Sequence, residues 1–140
     1  MAKRSNNNKL PPFVPLIWDM LNHKAYKELP SSSAKALPYF LGRVKVAYRD
    51  PEKYTTEFTF SYPEAKTLGF SPGTFSGIIT HLVRYGFIDP VAKGGLRGNG
   101  KGYNLFRLSR RWEKYGTREF QPVEWSSFHE RRKSNSKIRN

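Results

Sequence analysis

Between Ser71 and His81, small and polar residues recur at the spacing of one side of a helix. They are Ser71, Thr74, Ser76, Gly77, Thr80 and His81. Short side chains let the backbone of a helix come close to base edges in a major groove. The free amides and the positive dipole at the start of such a helix also favour an anion. Hydrogen bonding to a nucleic acid is the chemistry that this face would support.

A second group of residues supplies positive charge further along the chain. The cations are Lys93, Arg97, Lys101 and Arg107, and the first three lie in the glycine-rich segment 93–102. The chain from Pro90 to Trp112 contains no acidic residue. A flexible cationic loop can contact phosphates or enter a minor groove. The alternative is that this charge is simply solvated.

Two short helices are predicted to position the first group. Ser61 and Glu64 have the spacing of a capping box, in which each side chain accepts from the other's backbone amide. Gly69 can adopt the left-handed conformation that ends a helix. The second helix is predicted to begin at Ser71 as N-cap and to end at Gly86. Its apolar side repeats at helical spacing and consists of Phe75, Ile78, Ile79, Leu82 and Val83.

A small antiparallel sheet is predicted beside these helices. Segment 57–60 alternates in polarity as a short strand does, and a hairpin pairs 87–91 with 104–108. The sequence therefore predicts an α+β fold, with a helical core and a small antiparallel sheet that ends in a hairpin.

Several of these positions together carry a resemblance to a known family. They are Ser71, Thr74, Phe75, Ser76, Ile79, Leu82, Gly86, Phe87 and Ile88. Here the chain resembles the winged helix-turn-helix DNA-binding proteins of bacteria and their mobile elements, broadly of the MarR or GntR kind. The resemblance implies a recognition helix over 72–85 in the major groove and a basic wing over 93–102. One departure is Gly77, where family members often carry Arg, Lys or Gln, so no long side chain contacts bases from this position.

Composition narrows the class of partner. The 140 residues suit one compact core, and 25 Lys and Arg against 11 Asp and Glu give a formal charge of +14. Such a charge attracts polyanions. Without cysteine there is neither a disulfide nor a thiolate metal site, and three widely separated histidines predict no metal. With no apolar run long enough to span a bilayer and no signal peptide, we expect a cytoplasmic, nucleoid-associated protein with no membrane partner.

Neither catalysis nor a cofactor is predicted. The acidic residues are scattered, and no Ser-His-Asp arrangement follows from their spacing. The segment from Gly95 to Lys101 imitates a phosphate-binding loop, but Gly102 stands where Ser or Thr would hold magnesium.

Four regions are expected along the chain: a basic arm over 1–9, the winged helix domain over 10–112, an aromatic strap over 113–129 and a basic tail over 130–140. The strap has too many aromatic residues for a free tail, so it is expected to fold back onto the first helices. A dimer interface is the competing interpretation of the strap.

The first part of the domain is predicted to be helical. Ile17, Trp18 and Leu21 are expected to pack inward in a short helix. The longest helix is expected to begin among the serines at 31–33 and to continue to about Arg49, although Pro38 should bend it.

The favoured function is a sequence-preferring double-stranded DNA-binding protein, acting as a transcriptional regulator or as an accessory factor in replication or recombination. A structural RNA-binding or ribosome-associated protein is the alternative, because the same cations would contact an RNA backbone. A third interpretation is a winged helix that binds protein and has lost DNA binding.

Overall fold

The computed structural model describes residues 10–47, 49–94 and 103–128, and within these ranges the fold is α+β. The helices are α1 (Trp18–Leu21), α2 (Lys24–Lys27), α3 (Ser31–Leu41), α4 (Tyr62–Thr67) and α5 (Pro72–Arg84). The strands are β1 (Phe58–Thr59), β2 (Ile88–Ala92) and β3 (Leu105–Leu108). Short 3₁₀ turns lie at Pro51–Tyr54, Arg111–Lys114 and Trp125–Ser127. The expected arm over 1–9, the last residue of the expected strap at 129 and the expected tail over 130–140 lie outside the described residues.

The three strands form one antiparallel sheet in the order β1-β3-β2. Phe58 pairs with Phe106, and Ile88 pairs with Leu108. The register shifts between Pro90 and Ala92, where β2 carries one extra residue. Proline is tolerated in a strand at such an irregularity, and on an outer strand, because its missing amide then removes no essential ladder bond. The predicted hairpin is confirmed. Strand β2 lies one residue later than predicted, and β3 begins one residue later and ends where it was predicted to end.

The helix pair has the predicted caps. Ser61 and Glu64 form a capping box, with the Ser61 amide donating to the Glu64 carboxylate at 2.8 Å. This bond lowers the pKa of Glu64. Gly69 follows α4 with a φ of 97°, in the left-handed region expected of it. Ser71 caps α5 by accepting from the Thr74 amide at 3.2 Å.

Phenylalanine rings join the helices to the sheet. The ring of Phe40 on α3 lies 4.6 Å from Phe60, 6.1 Å from Phe75 and 6.0 Å from Phe106, measured between centroids. These rings are almost fully buried. Because Phe75 belongs to α5 and Phe106 to β3, this cluster fixes α5 against the sheet.

Helix α3 begins within the predicted serine cluster, but its predicted end at about Arg49 is wrong. The helix begins at Ser31 with Pro30 as N-cap, and it ends at Leu41 with Gly42 as C-cap. A Cβ at Gly42 would lie 3.2 Å from Cγ2 of Val14, so the proline-rich N-terminal segment packs where the helix stops. The apolar spacing was misleading because Val44 is buried from a loop rather than from a helix.

Trp18 also differs from its prediction. It is 75% exposed, whereas Met20 is the buried residue of α1. None of the helices in the described ranges is long and apolar enough to cross a membrane.

The segment after Trp112 packs on the domain in two places. Tyr115 reaches the end of α2, where its hydroxyl donates to the carboxylate of the C-cap residue Glu28 at 2.7 Å. This part agrees with the expected contact with the first helices. The later part does not, because the Trp125–Ser127 turn lies against α5 and the ring of Trp125 lies 5.7 Å from that of Phe106.

Candidate nucleic-acid interface

The N-terminal half of α5 presents an open surface. Thr74 and Ser76 are exposed, and a Cβ built on Gly73 or Gly77 would meet no atom within 4 Å. The opposite side of α5 is fully buried. The side that the sequence singled out therefore faces outward, and its first turns are uncovered by the described residues.

Ser71 and Thr74 hydrogen-bond to each other at the start of α5. Besides accepting from the Thr74 amide, the Ser71 hydroxyl donates to Oγ1 of Thr74 at 3.0 Å. The Ser71 proton is thus used within the cap. An anion at this end of α5 would be attracted chiefly by the helix dipole and by backbone amides of the first turn.

Two other predicted site residues also have partners within the protein. Ser76 Oγ lies 2.7 Å from the hydroxyl of Tyr62 at the start of α4, in a hydrogen bond that either atom could donate. Thr80 donates its hydroxyl to the backbone carbonyl of Ser76 at 3.0 Å. Ser76 and Tyr62 therefore form one polar pair on the surface, whereas Thr80 offers only acceptor capacity.

The C-terminal half of α5 is less open. His81 is half-buried, and Arg84 donates through Nε and Nη2 to both carboxylate oxygens of Glu124 at 3.1 to 3.4 Å. The hydrogen bonds to Glu124 raise the pKa of Arg84 above its ordinary value. The C-terminal segment thus adjoins the last turns of α5 and leaves its first turns open.

The predicted cations of the hairpin are only partly described. Lys93, just after β2, places Nζ 4.6 Å from the centre of the Trp125 ring in a cation–π contact. Arg107 on β3 lies 3.9 Å from Glu57 in an exposed ion pair. Arg97 and Lys101 lie outside the described residues.

Three residues of this surface were not among the predicted site residues. Arg84 belongs to the polar side of α5 but was assigned no role, although its helical spacing from Gly77 could have indicated one. Tyr62 and Glu124 carry no local signal, because their partners Ser76 and Arg84 lie 14 and 40 residues away.

Within the described ranges, no group of His, Cys, Asp and Glu could hold a metal ion. No protein-family model matches the chain, and no curated protein and no solved structure matches it significantly.

Proposed function

We propose that this protein binds double-stranded DNA, with the N-terminal half of α5 in the major groove and the cationic β2–β3 hairpin on the phosphate backbone. The observation that carries the proposal is the uncovered surface at Gly73, Thr74, Ser76 and Gly77 on a helix whose other side is buried. Recognition helices contact bases through their N-terminal residues, so this half of α5 is the relevant one.

The order of the elements supports a winged helix. A helix, a short strand, two helices and a hairpin follow one another as α3, β1, α4, α5, β2 and β3. The first strand pairs with the last, which lies in the middle of the sheet. In the winged helix-turn-helix proteins that the sequence resembles, α5 would be the recognition helix and the β2–β3 hairpin the wing.

Charge supports a polyanionic partner. A net charge of +14 on 140 residues favours association with nucleic acid, and the hairpin contributes cations without acids from Pro90 to Trp112. Phosphate contacts of this kind supply affinity and orientation, whereas the small residues of α5 would supply sequence preference.

The test is selection of bound fragments from random duplex DNA, followed by titration of the selected duplex at several salt concentrations. If roughly five or six phosphates are neutralised, log K should fall with log salt at a slope of about −5, since each phosphate contributes roughly 0.9. Replacing Arg97 and Lys101 with Ala should weaken all duplexes alike, whereas Thr74→Ala and Ser76→Ala should change the preferred sequence. A slope near zero, or equal displacement by structured RNA, would reject the proposal in favour of another partner.

A further inference from the structure

A single short segment contacts two cations that lie beside the proposed interface, one at the C-terminal end of α5 and one at the end of β2. Glu124 accepts from Arg84 at the end of α5, and the next residue, Trp125, lies under Nζ of Lys93 at the start of the hairpin tip. The two cations lie in different parts of the fold, yet their partners, Glu124 and Trp125, are adjacent residues of the segment that follows Trp112.

Aromatic packing holds the segment in this position. The ring centroids of Trp125 and Phe106 of β3 lie 5.7 Å apart. Phe128 stacks on Trp125, with ring centroids 6.4 Å apart and an angle of 9° between the ring planes. The Trp125–Ser127 turn packs directly against α5. The carboxylate of Glu124 is therefore held near Arg84 at the high effective concentration of an intramolecular ligand.

The ion pair itself remains accessible to a competitor. The side chains of Arg84 and Glu124 are 44% and 42% exposed. Ion pairs at such exposure contribute little net free energy, so an incoming phosphate can replace the carboxylate at small cost. Arg84 would exchange one anionic partner for another without being left unpaired.

We propose that the segment Glu124–Phe128 is a built-in competitor of nucleic acid, in which the Glu124 carboxylate occupies the place of a phosphate on Arg84. This inference rests on the proposed function, since it concerns regulation of the same surface. Only the fraction of molecules in which the segment is released can bind through Arg84 and Lys93, and the apparent affinity is reduced in proportion to that fraction. DNA binding and release of the segment are then coupled.

The opposite role for Glu124 makes an opposite prediction. If the carboxylate only orients Arg84 toward DNA, its removal would weaken binding, because Arg84 would lose its fixed geometry. The sign of the effect of removing the carboxylate therefore decides between competition and positioning.

The experiment compares Glu124→Gln with the wild-type chain, using a random-sequence duplex pool and fluorescence anisotropy at several salt concentrations. Competition predicts binding that is tighter by about threefold to fivefold, the upper end of what releasing an exposed ion pair can give. The salt slope should stay the same, because Arg84 contacts a phosphate in both complexes and the gain comes from the free variant, in which no carboxylate has to be displaced.

Glu113→Gln is the matched control. Glu113 accepts from Nε and Nη2 of Arg110 at 2.9 and 3.1 Å, as Glu124 does from Arg84, but its partner Arg110 does not belong to α5. The two variants change the net charge equally. Only Glu124→Gln should tighten binding by more than about twofold, and the gain should disappear in Arg84→Gln because the released cation is then absent.

Each result decides the matter. If wild type binds duplex and Glu124→Gln binds equally or more weakly, the competitor is rejected while the proposed function stands. If the gain persists in Arg84→Gln, or if Glu113→Gln shows it too, net charge explains it and the competitor is again rejected. If no form of the protein binds duplex, the proposed function fails and this inference fails with it.

Discussion

Arg111 donates Nε to Oδ1 of Asp89 at 2.7 Å, across 22 residues of chain. The same guanidinium donates Nη2 to the backbone carbonyls of Val83 and Ile88, and Nη1 to that of Gln121. One side chain therefore joins the end of α5, strand β2 and the C-terminal segment. Its side chain is only 15% exposed.

We expect Arg111→Lys to lower the free energy of unfolding by about 2 to 3 kcal/mol. Lysine keeps the charge, but its compact ammonium cannot serve a carboxylate and three carbonyls at once, and partly buried acceptors would be left unpaired. Arg110→Lys is the control, since Arg110 and Glu113 form an exposed pair worth about 0 to 1 kcal/mol. Urea denaturation measures both variants. Equal losses in the two would contradict the role given to Arg111.

Gly86 and Gly69 give a second prediction from a matched pair. Both have positive φ, at 91° and 97°, which costs other residues about 1 to 2 kcal/mol. A Cβ on Gly86 would also lie 2.5 Å from the Trp112 amide nitrogen, whereas one on Gly69 would meet nothing within 4 Å.

Gly86→Ala should therefore cost about 3 kcal/mol or more, because the steric overlap adds to the backbone strain. Gly69→Ala should cost only the strain, about 1 to 2 kcal/mol. Denaturant midpoints at equal m-value measure the difference. Similar losses would mean that Trp112 can move away from Gly86 without penalty.

Local signals predicted the central helix pair well. The capping box at Ser61 and Glu64, the cap at Ser71 and the left-handed Gly69 each depend on residues a few positions apart. Such contacts are set by backbone geometry, so spacing alone reveals them. The hairpin could be predicted for the same reason, because residues of alternating polarity lie on both sides of a glycine-rich segment.

Long-range packing explains what the sequence did not reveal. The helix predicted over 31–49 stops at Leu41, and its C-cap Gly42 is where Val14 of the proline-rich N-terminal segment packs. The pairing of Arg84 with Glu124 spans 40 residues and has no periodic signal. Exposed Trp18 likewise could not be distinguished from a core aromatic residue by spacing.

Gly77 offers a prediction that separates stability from function. It lies inside α5 with open space around it, so Gly77→Ala should raise the free energy of unfolding by about 0.5 to 1 kcal/mol, through lower entropy of the unfolded chain. In the proposed complex the added methyl group would keep the helix backbone from the groove and weaken duplex binding. Thermal denaturation and anisotropy together test this. A variant that is stabilised and binds as well as wild type would place the Gly77 backbone away from DNA.

Tyr115 gives a prediction at alkaline pH. Its hydroxyl donates to the Glu28 carboxylate, and this hydrogen bond raises the pKa of Tyr115 to about 12 from an ordinary value of 10.0. Between these pH values the folded protein keeps a proton that the unfolded chain has lost. The stability from this bond is therefore fully present below pH 10 and is lost as pH rises to about 12.

Tyr115→Phe should remove that dependence. At neutral pH we expect it to cost about 0.5 to 1.5 kcal/mol, the net contribution of one hydrogen bond. Between pH 10 and about 12 the wild-type protein should lose stability more steeply than the variant, so that the two curves converge. Tyr39→Phe is the control, since Tyr39 is an exposed tyrosine on α3. Urea midpoints measured across this range test the linkage, and parallel curves for wild type and Tyr115→Phe would show that Glu28 does not hold the proton on Tyr115.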